Sequence, residues 1–317
     1  MSQPDLRAPE DGPGNRTHAI QRLLFVADAA VADVDQLPSS VRAVLDAAAA
    51  VHVVTPTLPG RLAWLADDVD RCRHVADERL DTVLSHMHSI EAHASGTAGR
   101  GRVVTVIADA VAAFAPDHIL IALRDSEHAN WQERGLIEQI EERFALPVTA
   151  YAVDPRGQTP AADGPLLLCY DGSDDAAHAI ERAGALFTGR PALVVTVWQA
   201  TALPSSLGIS GEPAGMVDFV KLDRAAAEDG GGVARAGVRI AQEAGLDAEP
   251  LAVEAAGPIW KTIVEIADRH DAAAIVMGSR GLKGLRSMLM GSVSSAVVHH
   301  ADRPALIIRR PQPGRSC

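Results

Sequence analysis

The sequence is short of aromatics, lysine and cysteine, and each shortage narrows what the chain can be. Aromatic residues make up 3% of the 317 residues, so Ala, Val, Leu and Ile must fill any core that forms. Lysine occurs only at Lys221, Lys261 and Lys283, in a chain of formal net charge -12. Nucleic-acid affinity rests on clustered Lys and Arg, so a phosphate-backbone partner is not expected. Cys72, Cys169 and Cys317 are odd in number and far apart, which fits a reducing compartment and offers no zinc pair. No apolar run reaches the roughly 18 residues that span a bilayer. The N-terminal MSQPDLRAPEDGPGNR lacks a basic-then-apolar leader. The expectation is a cytoplasmic protein with no membrane partner.

What is present is a globular composition, 47% hydrophobic and 22% charged. The length exceeds the usual domain of roughly 100 to 150 residues, so two domains are expected. Residues 1–18 and 311–317 are rich in Pro, Gly, Arg and Asp without apolar periodicity and read as flexible tails. Residues 155–165 read as a linker by their Pro, Gly and Asp content. The domains are then 19–154 and 166–310.

In the second domain short apolar runs alternate with helical patterns. LLLCYDG (Leu166 to Gly172) precedes a helix over Ala176 to Phe187, and ALVVTVWQ (Ala192 to Gln199) precedes a helical stretch from Asp218 to Ala244. Gly230, Gly231 and Gly232 cost that helix about 1 kcal/mol each relative to Ala, which predicts a bend or a late start. PLAVEAA (Pro250 to Ala256), a helix over Ile259 to His270, AAAIVMG (Ala272 to Gly278), a glycine-rich segment, a helix SVSSAVVHHA and PALIIRR (Pro304 to Arg310) complete the series. Apolar strands joined by helical crossovers indicate an α/β fold, a mainly parallel sheet with helices on both faces.

The first domain repeats this order. LLFVA before Asp28 overlays the run before Asp171 at an offset of 143, which also lays VHVV (Val51 to Val54) over VVTV (Val194 to Val197). At an offset of 156, Thr105 to Ala122 overlays Lys261 to Gly278 and Gly135 falls on Gly291. Internal duplication is the simplest account.

The segment from Met277 to Val298 carries the chemistry. A strand ending in glycine, a glycine-rich turn and a helix beginning at a serine form a shape that binds phosphate: unpaired N–H groups and a partial positive charge lie at the helix N-terminus, and glycines admit an anion. Ser292 can serve as N-cap or donate its hydroxyl to a phosphate oxygen. Arg280 and Lys283 supply cations beside it in an acidic chain.

Gly278-x2-Gly281-x9-Gly291-Ser292, with the opening DGS (Asp171 to Ser173) and the closing RPALIIRR, resembles the ATP-binding subgroup of the universal stress protein family. The resemblance covers Leu166 to Arg310. It implies a tandem of two doubly wound, Rossmann-like parallel-sheet domains of strand order 3-2-1-4-5, with the nucleotide at the switch point between strands 1 and 4. Carried over by position, Asp171 and Val197 would flank adenosine, and Met277 and Gly278 the ribose. Arg280, Gly281, Gly291, Ser292, Val293 and Ser294 would hold phosphates, and Asp171 could reach a Mg ion held by them. The implied function is ATP-dependent regulation in a stress response. Cyclic AMP or another adenine nucleotide as ligand, slow ATPase activity or autophosphorylation, and an unknown protein partner all stay open. Sensing is favoured over turnover because no dedicated base can be nominated.

The first domain departs from the signature where it matters. Ala122, Asp125 and Leu136 stand for Gly278, Gly281 and Ser292, and Ala29-Ala30 for Gly172-Ser173, although Asp28, Arg124 and Gly135 remain. One nucleotide site per chain is therefore expected. The last strand of each domain should lie at a sheet edge, where the two can pair within the chain as a pseudo-dimer; any homodimer would use another surface. Cys72 with His74, His86, His88 and His93 lacks metal-ligand spacing and reads as solvated helix residues.

Overall fold

The computed structural model describes residues 19–27, 31, 37–56, 69–87, 93–99, 102–124, 136–144, 146–153, 163–199, 219–280 and 291–310. Strand and helix alternate through most of the chain. The first half contains β1 (Ile20–Ala27), α1 (Ser39–Asp46), β2 (Ala48–Pro56), α2 (Val69–His86), β3 (His93–Gly99), α3 (Val103–Phe114), β4 (His118–Arg124), α4 (Leu136–Phe144) and β5 (Val148–Val153). The second contains β6 (Leu166–Cys169), α5 (Asp174–Leu186), β7 (Pro191–Trp198), α6 (Phe219–Glu243), β8 (Asp247–Glu254), α7 (Ile259–Arg269), β9 (Ala274–Gly278), α8 (Ser292–His300) and β10 (Ala305–Ile308).

Among the described residues ten strands join one sheet in the order β3-β2-β1-β4-β5-β10-β9-β6-β7-β8. Each half has the order 3-2-1-4-5 expected from the sequence, with parallel pairing inside it. The halves meet at β5 and β10, which pair antiparallel with Ala305 opposite Ala150 and Ile307 opposite Val148. The two last strands thus satisfy each other's backbone groups within the chain, as the apolar edges demand.

The same logic fills the two faces. Strands buried on both sides need helices on both sides. One face carries a core that runs through both halves, from Val41, Val44 and Leu45 of α1 to Ala179, Ile180 and Ala183 of α5. The other face carries two cores, one under α3 and α4 and one under α7 and α8, and Val298 of α8 packs against both. Among described residues Ser40 Oγ, fully buried, donates to Ala273 O across the junction at 2.8 Å, and Arg182 Nη2 donates to Ala19 O at 3.1 Å.

The duplication is visible down to a backbone angle. Ala115 and Asp271, 156 residues apart and just past α3 and α7, both take φ of 48°, a left-handed conformation that costs a non-glycine residue about 1–2 kcal/mol. Helices α4 and α8 begin and end at that same offset.

Two expectations fail. Helix α6 does not start late: it runs from Phe219 to Glu243 through all three glycines, and Gly230 is buried against Trp198, where a Cβ would lie 3.0 Å from the indole Cδ1. His93 is not helical but opens β3, whose HASGTAG pairs along its whole length with β2. Among the described residues, no helix is long and apolar enough to cross a membrane.

Candidate nucleotide site at the β6/β9 switch point

In the second half the chain leaves β6 toward β7, while β9 lies on β6's other side. Crossovers then depart in opposite directions and open a crevice at the carboxyl ends of β6 and β9. The turn after β6 is built by DGS. Asp171 Oδ1 accepts from Ser173 N at 3.0 Å, Gly172 takes φ of 86°, and Ser173 Oγ caps α5 by accepting from Ala176 N at 3.2 Å. Nearby, burial and then the charge of Asp171 push the Cys169 thiol up to about 12, so it stays protonated and unreactive.

Strand β9 delivers Gly278 to the start of α5. A Cβ at 278 would sit 2.8 Å from the carbonyl carbon of Asp175 and 3.0 Å from Ala176 N, so the glycine is required by packing whatever ligand is present. Met277 is buried in the core beneath α7 and α8. Val197 stands half-buried near the end of β7, one strand beyond β6.

The start of α8 is tied to the end of β9. Gly291 N donates to Ser279 O at 2.7 Å, and Ser279 N donates to Ile308 O at 3.0 Å. Gly291 is the N-cap and provides no side-chain cap; the first helical carbonyl bond is from Ser295 N to Gly291 O. Ser292 is therefore not the cap, as one sequence alternative had it, but the first helical residue, with its side chain exposed. The amides of Ser292, Val293 and Ser294 precede the first carbonyl bond of the helix and carry its partial positive charge. Ser294 Oγ is buried and lies 3.1 Å from both Ser279 O and Gly291 O, so its hydroxyl holds the loop while its amide belongs to the helix end.

Arg280 and Asp175 form an ion pair, Nε to Oδ2 3.3 Å, with both side chains mostly buried. Asp174 pairs with Arg310 beyond β10. The structure thus gathers Gly278, Arg280 and Gly291 against Asp175 and Ser279 beyond the ends of β6 and β9, with Ser292, Val293 and Ser294 following Gly291 in α8, Asp171 in the turn after β6, and Met277 in the core. Gly281, Lys283 and the first half's Asp28, Asp125 and Gly135 lie outside the described residues. Sequence reasoning missed Asp175, and Ser279, whose position in the signature accepts any residue. The i, i+4 pairing of His74 with Glu78 at 3.1 Å on the exposed face of α2 accounts for one of the histidines considered as metal ligands.

The comparisons agree with this architecture. The sequence model of the Universal stress protein family matches residues 164–309. A universal stress protein of Bacillus subtilis is 30% identical over 162 residues, covering 45% of this chain and 97% of the relative. One from Thermus aquaticus is 34% identical over 148 residues, with 45% and 97% covered. The crystal structure of a universal stress protein from Archaeoglobus fulgidus superposes with a TM-score of 0.53 at 17% identity, over 92% of this chain and 97% of that one, a likeness of fold across both halves. With the family profile, two near-complete relatives and a matching two-halved fold in agreement, the chain belongs to the universal stress protein family.

Proposed function

We propose that the second half, residues 166–310, binds ATP at the β6/β9 crevice, and that the protein reports nucleotide occupancy to a regulatory partner. The observation that carries this reading is the α8 N-terminus: a glycine cap without a side-chain partner, held against β9 by the Gly291–Ser279 hydrogen bond, so that successive amides converge where a phosphate would sit. Asp171, Val197, Met277 and Gly278 would line the nucleoside, and the amides of Gly291 to Ser294 with Arg280 would hold phosphates. Asp171 would reach a Mg ion carried in by the phosphates. Lys283 is the one lysine in the sequence from Met277 to Val298, and Arg280 already pairs with Asp175, so the amides would do much of the neutralising.

One observation favours a smaller phosphate group. Arg280 already has Asp175 as a counter-ion, and a single phosphate, as in cyclic AMP, makes less demand on it. Competition between the two nucleotides separates these ligands.

The test is nucleotide content of the purified protein after acid release, followed by calorimetric titration. One ATP per chain is expected, because the first half has Asp125 and Leu136 where the second has Gly281 and Ser292. Gly281→Asp should abolish binding by placing a carboxylate beside the phosphates. Affinity within twofold of wild type in that variant, or two sites per chain, would remove the reading.

A further inference from the structure

Helix α8 is held from both sides. On one side His300 stacks on Trp260 of α7, ring centroids 4.4 Å apart, within its own half. On the other side the contact comes from the half that lacks the signature: Glu138 of α4 accepts hydrogen bonds through Oε1 from Ser295 Oγ and from His299 Nε2, the latter at 2.9 Å. These donors are one helical turn apart, so one carboxylate spans the face of α8 immediately behind its N-terminal turn.

We propose that Glu138 is a positioning residue for the ligand site of the other half, fixing the first turns of α8 so that its N-terminal amides stay convergent on an anion. The inference rests on the ligand reading above for its binding consequence, and on geometry alone for the fixing of α8.

Three observations favour this over general adhesion between halves. The contact is one-sided: the repeat partner of Glu138 at the offset of 156 is Ser294, which turns to Ser279 O and Gly291 O of its own half. It grips the residue that opens the helix ladder, since Ser295 donates its amide to Gly291 O and its hydroxyl to Glu138. Its two groups also favour each other's charged form. Although burial opposes ionisation of Glu138, hydrogen bonds from His299 and Ser295 outweigh it and hold the carboxyl at about 2, while His299 is raised by the same contact. The degenerate half has thus kept a role at the intact site through its own fourth helix.

Full-length protein with Glu138→Ala, Glu138→Gln, Ser295→Ala and Ser40→Ala tests this by hydrogen exchange of the amides of Val293 to Val297 without ligand, and by ATP titration. Loss of charged hydrogen bonds predicts α8 exchange and the ATP dissociation constant about tenfold higher in Glu138→Ala, with Ser295→Ala changing both in the same direction. Glu138→Gln keeps an oxygen to accept from Ser295 and should recover most of the loss. Ser40→Ala removes a different hydrogen bond across the junction and should leave α8 exchange as in wild type. The inference is overturned if Glu138→Ala exchanges α8 at the wild-type rate, or if Ser40→Ala loosens α8 as much. Should Glu138→Ala not fold, Ser295→Ala and Glu138→Gln decide by the same measurements. Wild-type protein that takes up no ATP would sink the ligand reading instead, and α8 exchange would still decide whether Glu138 fixes the helix.

Discussion

Position 278 has no room for a β-carbon. The backbone of Asp175 and Ala176 is rigid helix start, unlike the flexible end of a side chain, so any substituent must push β9 and α5 apart. Gly278→Ala should destabilise the protein by about 1–3 kcal/mol, the usual range for overpacking, seen as a lower urea midpoint at unchanged slope. It should do so without ligand, because the clash is with protein. The first half carries Ala122 at the equivalent place, fully buried, so the two copies must join strand to helix differently there. Sequence reasoning took Gly278 for a ribose contact; its measurable role in the empty protein is this approach of two elements.

Among the elements, β4 and β5 are joined by a buried polar pair. His118, at the start of β4, lies Nε2 to Thr149 Oγ1 2.8 Å in β5, and burial, then the Arg182 charge, lower its pKa to about 3. A lowered histidine is neutral in the native state while the unfolded chain takes up a proton below pH 6.5. Its contribution is therefore complete above that value and lost as pH falls toward 3. Stability should fall by up to about 1.4 kcal/mol per pH unit from this one group below pH 6, and His118→Gln should remove one proton from the acid slope of urea stability against pH. His299 works in the opposite sense. Raised by Glu138, it stabilises the α4–α8 contact below pH 6.5, and that contribution fades as pH rises through its native value. The partner Glu138 contributes above its ordinary 4.5 and fails only in strong acid. An unchanged acid slope in His118→Gln would mean that His118 is not the buried neutral group described.

Taken whole, the molecule is one sheet with a seam. The β5–β10 pairing covers only a few residues, but the core on one face crosses it, and Val298 ties the cores on the other. On an edge strand held only by its pairing across the seam, a lysine at 307 would loosen the halves and spare the site. In the structure Ile307 is 0% exposed and shares a core with Met277 and Val297, directly beneath the crevice. A lysine there buries a charge without a partner and should cost about 3–5 kcal/mol. Ile307→Lys should therefore speed proteolysis between residues 154 and 162 and weaken nucleotide binding as well. Loss of the first effect alone would mean that the halves hold together without the strand pair, and normal nucleotide affinity would mean that the site does not depend on the core beneath it.

The α/β class and the duplication were legible in the chain, because each leaves a local trace. Apolar runs of strand length, helical periodicity and glycines at fixed spacing follow from backbone geometry within a few residues. The paired end strands were legible for a similar reason, since an apolar edge needs a partner and the chain supplies two. The rest depends on contacts between residues far apart in sequence. HASGTAG has no apolar alternation, yet becomes β3 because β2 offers it a ladder of hydrogen bonds. Three successive glycines read as a bend or a late start, yet α6 runs through them, and Trp198 fills the space that a side chain at 230 would take. Asp175 reads as helix-end charge until β9 brings Arg280 to it, and Glu138 as an ordinary acid in a first turn until the seam brings α8 alongside. Local pattern sets which elements form, since propensity and periodicity act over one or two turns. Which polar side chains then meet is set by packing of the two halves, whose energy is shared among residues more than a hundred positions apart.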